Sequence, residues 1–143
     1  MAGYRSGKLV IFDGQTGKVV NREIQNVSDG DSTSHQPNKL IHHDQLKVVI
    51  SGNENGEICV YDMRKKTPCL KSRKVAHESS VTSLAFEYAS RGKTGMVHNI
   101  HAGSSNGSIR MMDFRKMEFI KDYQSVHRQK YDEGVKSIVM HPS

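Results

Sequence analysis

The sequence predicts an all-β chain assembled from repeated four-stranded units. Three observations lead there. A single 12-residue pattern occurs three times, each copy turns on a glycine, and no amphipathic helical stretch of useful length competes. The copies read AGYRSGKLVIFD from Ala2, SGNENGEICVYD from Ser51 and AGSSNGSIRMMD from Ala102, and they align without a gap at offsets of 49 and 51 residues. The shared order is a small residue, Gly, three variable residues, Gly, one residue, Leu or Ile, one residue, two bulky apolar positions and Asp.

Each element of the pattern has a physical reason. The second glycines, Gly7, Gly56 and Gly107, follow Ser6, Asn55 and Asn106. Asn-Gly signals a two-residue hairpin turn, because strand twist there demands positive φ at both positions. The segments after it, Lys8 to Phe12, Glu57 to Tyr61 and Ser108 to Met112, are aliphatic with little alternation, as suits inner strands covered on both faces. Asp13, Asp62 and Asp113 close the copies and lead into turns. More polar runs follow at Lys18 to Ile24, Cys69 to Val75 and Met117 to Tyr123, which read as outer strands. A further strand per unit is expected at Asn38 to His42, Val81 to Phe86 and Val135 to Met140, the last two preceded by His77 and His127.

A period of 40–50 residues with four short strands and a terminal apolar-Asp dipeptide is the signature of WD-repeat β-propeller blades. The expected organisation is an incomplete propeller of about three blades: part of one over 1–24, one over 38–75, one over 81–123, and the first strand of the next over 135–140. A propeller needs four to eight blades, so these units are not expected to close a ring alone, and their open edges are expected to self-associate. Two copies would supply six blades.

Composition narrows the function classes. The 143 residues suit one domain, and a hydrophobic content of 35% is low for a large self-sufficient core. No apolar run reaches the length of a membrane helix and no secretory leader is evident, so a soluble, cytoplasmic chain is expected, peripheral to membranes as part of a larger complex. Cys59 and Cys69 read as reduced thiols. The net charge of +6 permits an anionic partner, and the alternative reading is a basic nucleic-acid-associated WD-repeat module. However, the basic clusters lack interleaved aromatics and follow no groove-entering helix.

No catalytic, cofactor or metal site is expected. Gly92-Lys93-Thr94 resembles the end of a phosphate loop, but the first glycine of that motif would fall on Glu87 and no helix follows. His98 with His101, and His42 with His43, lack further ligands at useful spacing. Ser79 and Ser80 lie near His77, yet a histidine there caps a turn in this kind of repeat. WD repeats usually link a loop His, a strand Ser or Thr, a Trp and a hairpin Asp through buried hydrogen bonds. Here His77, His127 and Ser104 match, whereas Asn53 and Tyr4 depart, Asn55 and Asn106 replace the Asp, and Phe12, Tyr61 and Met112 replace Trp. A broken chain of bonds is expected.

Taken together, Asn26 to His43, AHESSVTSLAF over Ala76 to Phe86 and SVHRQKYDEGVKSIVMHPS over Ser125 to Ser143 resemble the carboxy-terminal propeller of the striatins, scaffold subunits of phosphatase–kinase signalling complexes. The resemblance includes an insert, Arg128-Gln129-Lys130-Tyr131-Asp132-Glu133, between the loop His127 and the next strand. The missing Trp and the altered loop over Glu87 to Gly95 depart from it. It implies a non-catalytic scaffold whose partners are a type 2A protein phosphatase, Ste20-like kinases and a Mob-like protein. The insert combines Arg and Tyr anchors with charge, so Arg128, Lys130 and Tyr131 are the expected partner contacts.

Overall fold

The computed structural model describes residues 2–3, 8–25, 36–64, 69–87, 98–123 and 134–141. Among these, three antiparallel sheets form and no helix does. The first holds β1 (Ala2–Gly3), β2 (Lys8–Phe12) and β3 (Val19–Gln25). The second holds β4 (Pro37–His43), β5 (Val48–Asn53), β6 (Glu57–Asp62) and β7 (Cys69–Val75). The third holds β8 (Val81–Phe86), β9 (Asn99–Ser104), β10 (Ile109–Asp113) and β11 (Glu118–Tyr123). Every sheet is a meander whose spatial order follows the sequence, as in propeller blades.

The repeat is equally visible in the pairing. Gly3 faces Leu9, Gly52 faces Ile58 and Gly103 faces Ile109, one register three times over. The glycines are required by a close approach. A Cβ at Gly52 would lie 2.4 Å from Val81 Cγ1, and one at Gly103 would lie 2.6 Å from Val135 Cγ1. The second and third sheets thus each carry a notch in their second strand, filled by Val81 and Val135 respectively.

Alternation along β5 and β6 divides the interior in two. Val48, Ile50, Ile58 and Val60 pack with Val81, Leu84, Ile100, Ala102, Met112 and Phe114 between the second and third sheets. Val49, Cys59 and Tyr61 point the other way and pack with Leu9 of the first sheet. At roughly 1.5–3 kcal/mol for each large aliphatic side chain removed from water, this double burial makes the second sheet the anchor. β6 has the burial on both faces expected of an inner strand. β10 does not: Met112 is buried, but Ile109, Arg110 and Met111 are only partly so, because the described residues cover one face of that sheet.

Two local expectations change. The Asn-Gly turns have three residues rather than two: Gly56 N–H bonds Asn53 O and Gly107 N–H bonds Ser104 O. Positive φ is confined to the glycines, at 82° and 84°. The cause is the asparagine side chain, whose Oδ1 accepts the N–H two residues on, Glu57 and Ser108 respectively, an Asx turn that leaves only the glycine in the left-handed region. The segment over 135–140 is not a strand: residues 134–141 pair in no ladder. Val135 is nonetheless held by its N–H to Ser104 O at 2.9 Å and by Thr82 Oγ1 donating to its carbonyl. No described strand lies beside the segment to complete a ladder.

Gly56→Ala should destabilise the protein by about 2–4 kcal/mol, because a Cβ would meet the His77 carbonyl in a left-handed residue. Gly14→Ala, which meets nothing, should change stability by less than about 0.5 kcal/mol. Urea midpoints followed by circular dichroism check both.

Candidate functional site

The closing aspartates make the corners from which the loops at one end of the sheets depart. Asp13 Oδ1 accepts the N–H of Gln15 at 2.8 Å, Asp62 Oδ1 that of Arg64 at 3.0 Å, and Asp113 Oδ1 those of Arg115 at 2.8 Å and Lys116 at 3.2 Å. These are Asx turns, which need a short side-chain acceptor at that position. The Gln15 N–H, more than any other group, holds the Asp13 carboxyl below its ordinary range. Gly7 and His127 lie outside the described residues.

The opposite end is organised by His77. Its Nε2 lies 3.0 Å from Ala102 O, and a carbonyl only accepts, so Nε2 carries the ring proton. Nδ1, 2.9 Å from Ser108 Oγ, then accepts from that hydroxyl. Ser108 Oγ, its one proton spent on Nδ1, is also 2.9 Å from Ser104 Oγ and 2.7 Å from Asn106 Oδ1, and it is Ser104 Oγ that donates to Asn106 Oδ1. The chain of buried bonds expected to be broken is therefore rerouted in the third sheet. Ser108 bridges His77 to Ser104 and Asn106. In the second sheet Ser51 bonds Asn53 at 3.0 Å, and Asn53 Nδ2 reaches Cys59 Sγ at 3.5 Å, beside the buried Tyr61 whose hydroxyl burial pushes well above its usual pKa. The asparagine thus holds the polar position in a different network.

Catalytic groupings are not assembled by these contacts. Both ring nitrogens of His77 are engaged, and Ser80 Oγ donates to Glu54 O at 2.6 Å instead of to a base. Among the described residues no three His, Cys, Asp or Glu side chains gather as metal ligands. Gly92, Lys93 and Thr94, and the expected contact residues Arg128, Lys130 and Tyr131, lie outside the described residues.

At the aspartate end, sequence reasoning missed a cleft. Leu46, Val48, Val60, Arg64, Phe114 and Arg115 line a cavity of about 330 Å³ where the second and third sheets meet. One lining residue, Phe114, belongs to an aromatic cluster: it lies 5.9 Å from Phe86 and 5.9 Å edge-on from His98, and His43 lies 5.0 Å from Phe86. Arg115 Nη1 donates to His98 Nε2 at 2.8 Å. Leu46, Val48, Val60 and Arg64 come from the second sheet and Phe114 and Arg115 from the third, and only the stacking of the sheets joins them, so periodicity carries no signal for the cleft.

Burial lowers the pKa of His77, and of His98 and His101 in the same direction. The folded state therefore favours neutral rings. This contribution is complete above the ordinary value of 6.5 and is lost as pH falls below it, where the unfolded chain binds more protons. Urea midpoints should fall between pH 7 and pH 5, and His77→Gln should flatten that dependence while lowering stability at pH 7.

No family model matches the sequence. Mouse striatin is 31% identical over 143 residues, all of this chain, and the striatin homolog of Dictyostelium discoideum is 26% identical over 146. Mouse striatin-3 is 28% identical over 143 residues. The chain spans about a sixth of the length of these relatives, 16–17%. Among solved structures, the RRP9 WD40 repeats superpose with a TM-score of 0.71 over 94% of this chain and 36% of that one, at 11% identity. Sqt1 of Saccharomyces cerevisiae gives 0.69 over 98% of this chain and 32% of that one, at 18% identity. The chain is therefore similar to striatins along its whole length and has the fold of WD40 propeller blades.

Proposed function

We propose that the chain is a non-catalytic stretch of a protein-interaction scaffold that works in phosphatase–kinase signalling assemblies of the striatin kind. The observation that carries this reading is the alignment of all 143 residues with striatin on a propeller fold. The geometry agrees with it. Stacked sheets make a rigid frame, their loops gather at two ends, and loops on a rigid frame are where binding concentrates. The engagement of His77 within the frame also favours a binding role over a catalytic one.

By the resemblance, the partners are a type 2A protein phosphatase, Ste20-like kinases and a Mob-like protein, met in the cytoplasm or at a membrane surface within the complex. We assign the contact to Arg128, Lys130 and Tyr131, because Arg and Tyr anchors dominate interface energetics. Affinity capture of the full-length protein with quantitative mass spectrometry tests this reading. Phosphatase and kinase subunits should be retained, and the double variant Arg128→Glu with Lys130→Glu should lose at least one of them by about fivefold or more. Retention of neither by the unaltered protein contradicts the scaffold reading; undiminished retention by the variant contradicts the assigned contact.

A further inference from the structure

The cleft between the second and third sheets has a chemistry of its own. Its floor and wall are apolar, made by Leu46, Val48, Val60 and Phe114, and its rim carries two guanidinium groups, Arg64 and Arg115. Both cations are set in place. Arg64 donates Nε to both carboxylate oxygens of Asp62, at 2.9 and 3.1 Å, and Nη2 to Oδ2. Arg115 rests on His98, which packs edge-on against Phe114. A guanidinium cannot accept a hydrogen bond, so His98 Nε2 is the acceptor and the ring beside Arg115 is neutral. The ring therefore adds no competing positive charge beside Arg115.

Of the acidic groups nearby, Asp62 pairs with Arg64 itself through Nε and Nη2, so a ligand carboxylate would share that guanidinium; Asp113 accepts the backbone N–H groups of its own turn, and Asp44 pairs with Lys47 at 2.6 Å. Lys116, which follows Arg115, adds a further positive charge next to the rim. A cavity of about 330 Å³ holds one or two side chains, and is at the small end for a whole cofactor. The lining offers donors of positive charge and almost no acceptor, which disfavours sugars and nucleobases, with their many donors.

We propose that this cleft is a docking site for an acidic peptide segment of a partner protein, one that seats an aliphatic or aromatic side chain between Leu46 and Phe114 and sets a neighbouring carboxylate on Arg64 and Arg115. Arginine suits this role, because its planar fork meets a carboxylate through two parallel hydrogen bonds and keeps its charge at every working pH. The proposal deepens the scaffold reading by giving the chemistry of one partner segment.

Fluorescence anisotropy of the full-length protein with a labelled, end-blocked peptide of alternating glutamate and leucine tests it. The peptide should bind, and Arg115→Glu, Arg115→Gln and Arg64→Gln should each weaken binding, the charge reversal by about tenfold or more. Lys39→Glu, an exposed charge on β4 away from the cleft, should leave binding unchanged. Peptides with glutamine for glutamate, or alanine for leucine, should bind poorly. Equal weakening by Lys39→Glu would reduce the effect to the general field of the +6 chain and overturn the proposal. So would unimpaired binding of the alanine peptide, or full competition by millimolar inorganic phosphate. Peptide binding without capture of phosphatase or kinase subunits keeps the cleft and removes the scaffold reading; capture without peptide binding does the reverse.

Discussion

The structure depends on one contact, the seating of Val81 in the notch left by Gly52. A β-sheet that is apolar on both faces has no stable existence unless both faces are covered. The second sheet meets that demand on one side by bringing β8 so close that the Gly52 position has no room for a Cβ, 2.4 Å from Val81 Cγ1. Other contacts are placed by this seam. The N–H groups of Ala76 and His77 both reach Gly56 O, Ser80 Oγ reaches Glu54 O, and Ser105 N–H reaches Ser80 O. The hairpin of one sheet and the loop entering the next are thus tied at their backbones. Val135 against Gly103 repeats the arrangement one unit later.

The same seam creates the means of binding at the other end of the sheets. With the second and third sheets stacked through β5 and β8, the turn over 44–47, the corner at Arg64 and the corner at Phe114 and Arg115 converge on one cleft. Each corner is stiffened by an aspartate acting on its own backbone, so the guanidinium groups project from turns whose geometry is already fixed. Binding to a prepared surface avoids the entropy of ordering it. A scaffold protein gains from this arrangement, because its partners meet the same surface each time.

The fold class was legible in the sequence because the demands that specify it are local and repeated. A glycine where the next sheet approaches, a glycine in left-handed conformation and an aspartate capping a turn leave a spaced trace that survives the loss of every Trp. The turns were less legible. Asn-Gly suggested two residues with positive φ, but the reach of the Asn55 and Asn106 side chains to the backbone two residues on favoured a longer loop. The His77 network was misread for a related reason. Residue identities showed which familiar links were absent, whereas the bridge through Ser108 depends on where a hydroxyl stands in space. The cleft was invisible altogether, because Phe114 and Arg115 meet the Leu46 and Arg64 corner of the second sheet only through sheet stacking. Arg128, Lys130 and Tyr131 are contacts assigned on residue chemistry and resemblance.

The central claim is that the Gly52 notch and Val81 act as a coupled pair joining the sheets. A double-mutant cycle of Gly52→Ala and Val81→Ala, read as urea unfolding free energies, tests it most directly. Each single change should destabilise, Gly52→Ala by overpacking and Val81→Ala by leaving a cavity, by about 1–4 kcal/mol each. The double variant should recover at least about 1 kcal/mol of their sum, because alanine removes the 2.4 Å clash with Cγ1 and leaves only the milder 2.9 Å approach of Cβ. Strictly additive losses would show that the two positions do not meet, and would contradict the account.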